Sequence, residues 1–162
     1  MLPADCLSHR RDDIVRRWFD RVIDSYPPDT ARFLRREQDP FQNPVGRTIA
    51  REVAALCGQL LGSFDRDTAT TSLENIIRIR AVQDFTPSQA VGFILQLKPI
   101  LREILADELS ETASWELWAA LESRIDELAL LAFDVYMRCR EKLFEIRTSE
   151  LKRWFGLARQ GR

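Results

Sequence analysis

The stretch that decides the fold is "RAVQDFTPSQAVGFILQLK", residues 80–98, which joins the end of one predicted helix to the start of the next. Thr86 is a good amino-terminal cap, and Pro87 follows at the first helical position, where a missing N–H costs nothing. The Gln89 side chain can accept a hydrogen bond from the Thr86 N–H, which completes a capping box. These residues predict a tight corner between two helices.

Helical spacing extends outward from this corner in both directions. In "DDIVRRWFDRVIDSY", residues 12–26, the apolar residues recur three and four positions apart, with charged residues on the other face. Asn43 and Pro44 repeat the cap-then-proline pattern at the start of another such helix. The chain has only six glycines and no alternating β-branched runs, which leaves little room for a sheet and its turns. We expect an all-α domain, a bent bundle of about six helices.

One helix is predicted to begin at Pro87 and to contain an internal proline, Pro99. Proline removes one backbone hydrogen bond and clashes with the preceding turn. The sequence therefore predicts a kink near Leu95 and Gln96 rather than a straight helix.

The last helix is predicted to be unusually long, because residues 114 to about 155 contain neither proline nor glycine. At about 1.5 Å per residue it would reach roughly 60 Å, more than a compact domain of this size needs. Within it, apolar residues repeat at alternating spacings of three and four. This seam suits either a helix packed centrally in its own domain or a coiled-coil dimer, and its residues are Trp118, Leu121, Ile125, Leu128, Ala132, Val135 and Cys139.

The final residues, 147–162, mix large apolar and basic side chains, with Glu150 as the one acid. Such a basic amphipathic segment suits docking on a partner, and folding back onto its own domain is the alternative. The candidate docking residues are Leu151, Lys152, Arg153, Trp154 and Phe155. We therefore divide the chain into a flexible leader (1–11), a helical input domain (12–146) and this basic tail (147–162).

Composition excludes several classes of protein. The 24 basic and 25 acidic residues nearly cancel, so there is no overall positive field of the kind that draws a protein to nucleic acid. Three widely spaced cysteines, without a C-x-x-C pair, fit a reducing compartment. Neither a signal peptide nor a membrane span is evident, so we expect a cytoplasmic protein without stable membrane insertion.

Catalytic and metal-binding patterns are easier to exclude than to find. His9 is the single histidine and lies in the polar leader, which argues against a histidine-based triad. One histidine also cannot supply a Glu-x-x-His di-metal bundle or a His-x₃-His zinc site within one chain. We assign no catalytic, cofactor or metal residues. Arg78, Arg80 and Asp84 could form an anion site before the corner, but an ordinary surface ion pair between Arg80 and Asp84, four apart, is the commoner explanation.

Two further expectations concern aromatic residues. Trp115 and Trp118, like Trp18, fall on apolar stripes and are expected in the core. An apolar-ligand pocket, if one exists, would be lined by residues such as Trp18, Phe93 and Phe133.

The segment "IIRIRAVQDFTPSQAVGFILQLKPIL", preceded by "FQNPVGRTIAREVAAL", resembles the amino-terminal domain family of the RsbRD-type RsbT co-antagonist proteins, which are bacterial stressosome and signalling components. The resemblance covers about residues 14–150. It rests on Asn43-Pro44, on Arg80 before the corner, on Thr86-Pro87-Ser88 within it and on Leu97-Lys98 after it.

The resemblance implies an all-helical sensory module, commonly placed ahead of a separate output domain, and offers a haem-less globin-like fold as an alternative to the bundle. The sequence as given leaves no room for an output domain after the long helix, so we expect another polypeptide, or the bare helix, to provide the output. The predicted function is a non-enzymatic signalling module that forms a homodimer and contacts an output partner. The alternative is a receptor or carrier for a small apolar ligand.

Overall fold

The computed structural model of the chain describes residues 7–108 and 111–161. Six α-helices of nine residues or more and one shorter helix account for most of these residues, and no β-strand occurs among them. In chain order the elements are α1 (Arg11–Asp24), α2 (Pro28–Arg36), α3 (Pro44–Leu61), α4 (Arg66–Val82), α5 (Pro87–Val91), a 3₁₀ turn (Gly92–Ile94), α6 (Leu97–Glu108) and α7 (Glu111–Gln160). The predicted all-α bundle is confirmed.

Helix α4 lies at the centre of the bundle, with α3 on one side and α7 on another. Its inward face carries Leu73, Ile76 and Ile77, each fully buried. Burying each such aliphatic side chain stabilises the folded state by roughly 2 kcal/mol, and this burial is the main stabilising contribution in a helical bundle. The predicted leader reaches this core as well, because Leu7 is buried in it, whereas residues 1–6 lie outside the described residues.

The caps predicted from the sequence are formed in the structure. The Asn43 side chain accepts a hydrogen bond from the Gly46 N–H at the start of α3, at 2.9 Å. At α5, Thr86 and Gln89 form the predicted capping box. Each cap satisfies a backbone N–H that the first turn of a helix leaves without a partner.

The predicted kink near Leu95 and Gln96 is wrong, because the helix is interrupted there instead of bent. Helix α5 ends at Val91, a 3₁₀ turn follows, and α6 begins at Leu97. Pro99 consequently lies in the first turn of a new helix, where the N–H that proline lacks would have no intrahelical partner.

Helix α7 is 50 residues long, which corresponds to about 75 Å at 1.5 Å per residue. It is longer than predicted and continues through the basic tail to Gln160, so the tail is the end of this helix rather than a separate segment. The side chains that pack against the rest of the chain end near Leu143, and every residue from Ser149 to Gly161 is exposed. None of the helices described has the length and apolar character needed to cross a bilayer.

Candidate functional site

The most unusual side chain of the core is Arg80, in the last turn of α4. Only 1% of its surface is exposed, although it carries a positive charge. It occupies the same inward stripe as Ile76 and Ile77, which places the guanidinium inside the bundle beneath the corner. A charged residue at a core position of an apolar stripe is the sequence signal that could have identified this site.

The corner supplies most of the hydrogen-bond acceptors for Arg80. Its Nε donates to the Ala90 carbonyl at 3.2 Å, and its Nη2 donates to the Gln89 carbonyl at 2.8 Å. Because the last carbonyls of a helix have no intrahelical partner, the abrupt end of α5 leaves these two free to accept. Nη2 also donates to Oγ of Ser25, just after α1, at 3.1 Å. The elaborate capping of the corner therefore holds backbone carbonyls against a buried arginine.

Three aromatic rings enclose the guanidinium. Its Cζ lies 4.1 Å from the centroid of the Phe85 ring, 5.4 Å from that of Tyr26 and 5.7 Å from that of Phe93. The faces of such rings attract cations and partly offset the loss of water around the charge. Tyr26 packs edge-on against Phe85 at 5.1 Å, which fixes both rings.

No carboxylate neutralises this cation within 4.0 Å among the described residues. The expected surface ion pair of Arg80 with Asp84 is wrong, because Arg80 points into the core while Asp84 is exposed. Burial lowers the pKa of the guanidinium, and burial also raises the pKa of the neighbouring Tyr26 phenol. The Nη1 atom of Arg80 is buried without a hydrogen-bond partner.

A surface cleft of about 420 Å³ opens beside Arg80. It lies between the end of α1 and the corner, and most of the residues that line it are polar or charged. The residues that line it are Arg21, Asp24, Ser25, Arg80, Ser88, Gln89, Gly92, Phe93 and Gln96. We call this the Arg80 cleft.

The predicted dimer seam is covered by its own chain. Trp118, Leu121, Ile125, Leu128, Ala132 and Val135 are all buried in the hydrophobic core, and Cys139 is partly buried against it. The 3-4 spacing therefore reflects a helix packed centrally in its own domain, the alternative reading of the pattern, because α4, α6 and the corner all pack against α7. These residues cannot also face a second copy.

The predicted apolar pocket is not assembled. Trp18 and Phe93 stack with their ring centroids 6.2 Å apart, and the indole N–H of Trp18 donates to the Phe93 carbonyl at 2.8 Å. This pair fills the core, whereas Phe133 lies at the surface with half of its side chain exposed. Trp115, expected in the core, is also exposed, with 71% of its surface accessible.

The predicted docking residues at the end of α7 are all exposed. Leu151, Trp154 and Phe155 have 60%, 76% and 66% of their surfaces accessible, and Lys152 and Arg153 are exposed beside them. These side chains are available to a partner, and they pack against nothing in the described part of the chain.

A second apolar stripe on α7, which we did not identify from the sequence, faces outward. It consists of Leu130, Met137, Phe144 and Leu151, seven residues apart, with 70%, 40%, 71% and 60% of their surfaces exposed. We call it the outer stripe. Its seven-residue repeat is the sequence signal that predicts it, and it runs along the same helix as the 3-4 seam.

Among the described side chains, no group of three or more His, Cys, Asp and Glu residues is arranged to hold a metal ion. In the Arg80 cleft the Ser25 hydroxyl donates to the Val22 carbonyl and accepts from Nη2 of Arg80, so its proton is already engaged. The cationic and hydrogen-bonding groups of the Arg80 cleft are suited to binding a ligand.

Comparison with known proteins agrees with the resemblance noted in the sequence. Residues 12–151 match the family described as the RsbT co-antagonist protein rsbRD N-terminal domain. An uncharacterized protein of Archaeoglobus fulgidus is 28% identical over 145 residues, which cover 86% of this chain and 83% of that relative. No solved structure matches the chain.

Proposed function

The chain belongs to the RsbT co-antagonist protein rsbRD N-terminal domain family, and from that membership we propose that it is a non-enzymatic cytoplasmic signalling input module that acts through protein–protein contacts. The observation that carries the proposal is the second half of α7. Beyond Leu143 this helix leaves the bundle and exposes large apolar side chains instead of ending. Exposed apolar surface of this extent is typical of interaction sites.

The first contact we propose is with a second copy of the chain, through the outer stripe rather than the buried seam. Apolar residues at a strict seven-residue interval form the contact line of a left-handed coiled coil. Pairing two outer stripes would remove Leu130, Met137, Phe144 and Leu151 from water. Each leucine or phenylalanine so covered contributes roughly 1–3 kcal/mol.

The charges beside the outer stripe favour parallel over antiparallel pairing. Residues three positions after a stripe residue lie on one side of it, where Arg140 and Arg147 occur. Residues four positions after lie on the other side, where Asp134 and Glu141 occur. In a parallel two-fold pair each flank faces the opposite flank of the partner helix, so basic meets acidic. In an antiparallel two-fold pair each flank faces the same flank of the partner helix, so like charges meet.

The second contact we propose is with a separate output protein, at the basic tail. Trp154 and Phe155 supply apolar anchors beside Lys152 and Arg153, the composition of a helix that lies in a groove with acidic edges. In a parallel pair both tails project from the same end, so a partner meets two copies together. The proposed role is in stress-response signalling, as the resemblance to the RsbRD-type RsbT co-antagonist proteins implies.

The experiment that tests the dimer is a molar-mass measurement by light scattering after size exclusion. We expect the unmodified chain to be a dimer, and the double variant Met137→Glu/Phe144→Glu to be a monomer with unchanged helical circular dichroism. Ser149→Glu, an exposed change on the same helix outside the stripe, should remain a dimer. A monomeric unmodified chain at 100 micromolar (about the upper working concentration, where weak pairs also form) contradicts the proposal.

A further inference from the structure

The Arg80 guanidinium has hydrogen-bonding capacity that the protein leaves unused. Arginine carries five N–H donors. Nε uses one toward Ala90, and Nη2 uses two toward Gln89 and Ser25, so the two on Nη1 remain, and that atom is buried without a partner. Buried polar groups without partners are rare in native proteins, and a specific one calls for an explanation.

The charge of Arg80 is equally uncompensated. The three aromatic rings around it attract a cation without neutralising it. All its acceptors are uncharged, two carbonyls and one hydroxyl. Burying a charge without a counter-charge is costly, so an anion that enters the neighbouring cleft would meet an unneutralised cation.

The Arg80 cleft has the composition of an anion site. Arg21 lines it together with Arg80, and hydroxyl and amide groups come from Ser25, Ser88 and Gln89. The single acid in the lining, Asp24, is hydrogen-bonded to Arg35 on α2, which offsets its charge. Its volume of about 420 Å³ suits a small molecule rather than a macromolecule.

We propose that the Arg80 cleft binds a small oxyanion, a carboxylate or a phosphate, whose negative charge is balanced by Arg21 and by the guanidinium of Arg80. The inference deepens the proposed function by naming the chemical class of the signal, and it rests on that function only for calling the ligand a signal. Anion binding itself is tested independently of dimer formation.

The site is also placed next to the proposed output helix. Ala81, the residue after Arg80, accepts a hydrogen bond on its carbonyl from Nη1 of Arg140 on α7, at 3.2 Å. A ligand that draws on Arg80 therefore acts one residue from a contact between α4 and α7.

The test measures binding of two probes, sodium acetate and inorganic phosphate, at constant ionic strength with chloride as the balancing anion. The readouts are the Arg80 side-chain N–H resonances and the melting temperature of the full chain. We expect one probe to shift the Arg80 resonances saturably and, at ten times its dissociation constant, to raise the melting temperature by about 3–6 °C. A response to acetate would indicate a carboxylate ligand, and a response to inorganic phosphate would indicate a phosphate ligand.

Three variants localise the effect. Arg80→Met should abolish the response, and Arg21→Glu, an exposed change at the cleft, should weaken binding at least about tenfold, as expected for reversing a charge beside a bound anion. Arg47→Glu makes the same charge change on the exposed surface of α3 and should bind like the unmodified chain. If Arg80→Met does not fold, the comparison of Arg21→Glu with Arg47→Glu decides.

Two results overturn the inference. One is that neither probe moves the Arg80 resonances of the unmodified chain up to 50 millimolar (roughly the weakest binding that a site of this kind would show). The other is that Arg21→Glu and Arg47→Glu respond alike, which would show a general effect of salt on stability. Because the dimer is measured separately by molar mass, failure here leaves the proposed pairing of α7 standing or falling on its own result.

Discussion

Replacing Asn43 with aspartate distinguishes a helix cap from a buried hydrogen-bonding hub. As an amino-terminal cap, aspartate is as good as asparagine, so capping alone predicts almost no loss of stability for Asn43→Asp. In the structure the Asn43 side chain has a second role, because its Nδ2 donates to the carbonyls of Leu34 and Glu37, each at 3.0 Å. The residue is 1% exposed, so water cannot replace these bonds.

The size of the effect follows from these contacts. Aspartate keeps the oxygen that accepts from the Gly46 N–H but loses both donors. Two buried hydrogen bonds contribute about 1 kcal/mol each, and turning a carboxylate toward two carbonyl oxygens adds a desolvation cost of about 2 kcal/mol. We expect Asn43→Asp to lower the free energy of unfolding by about 4 kcal/mol, which in a chain of this size lowers the melting temperature by about 8–16 °C.

The matched control is the reverse exchange at another cap. Asp65 caps α4 by accepting from the Thr68 N–H, and it is exposed, so water can replace other lost hydrogen bonds. Asp65→Asn should change the free energy of unfolding by less than about 0.5 kcal/mol. Urea denaturation followed by circular dichroism measures both variants. Equal, small effects at the two positions would show that Asn43 is only a cap and would refute the reasoning.

Three further predictions follow from burial and close contacts. Gly46→Ala should lower the free energy of unfolding by about 1–3 kcal/mol in urea denaturation. The added Cβ would lie 2.4 Å from Nδ2 of Asn43 and 2.8 Å from the Leu34 carbonyl oxygen. Gly156→Ala is the control and should not destabilise the chain, because nothing lies within 4 Å of its added Cβ. Deleting residues 150–162 should shift the melting temperature of the monomeric Met137→Glu/Phe144→Glu variant by less than about 2 °C, because the described side chains of the deleted segment are exposed. A large drop in melting temperature would show that the tail belongs to the core. Burial raises the pKa of the Cys57 thiol from 9.0 to about 11, so the thiol of the unfolded chain ionises at lower pH than that of the folded chain. The free energy of unfolding should therefore fall by up to about 3 kcal/mol as the pH rises from 9 to about 11. Urea denaturation at several pH values should show this loss in the unmodified chain and not in Cys57→Ala.

Local features of the chain were predictable from the sequence because their physical causes act over a few residues. The spacing of apolar residues identified the helices, and the cap residues Asn43 and Thr86 lie where helices begin. The family resemblance rested on the same short segments and is confirmed by the match over residues 12–151.

The effect of Pro99 shows the limit of such local reasoning. A proline disfavours continuation of a helix through its position but does not decide between a kink and a break. Here the α5 capping box, the 3₁₀ turn and the new helix at Leu97 make it a break. Arg80 holds the residues that close the corner, because it donates hydrogen bonds to the carbonyls of Ala90 and Gln89, ten and nine positions further along the chain.

The faces of helices that are buried were decided only by the tertiary structure. Helix α7 carries two apolar repeats, and periodicity alone treats the Leu128 repeat and the Leu130 repeat as equivalent. Leu128 is fully buried and Leu130 is 70% exposed because α4 packs against one face and leaves the other open. Burial depends on which distant segment covers a residue, so the sequence determined the helices and their faces, while packing determined that Arg80 lies inside the bundle and the outer stripe lies outside it.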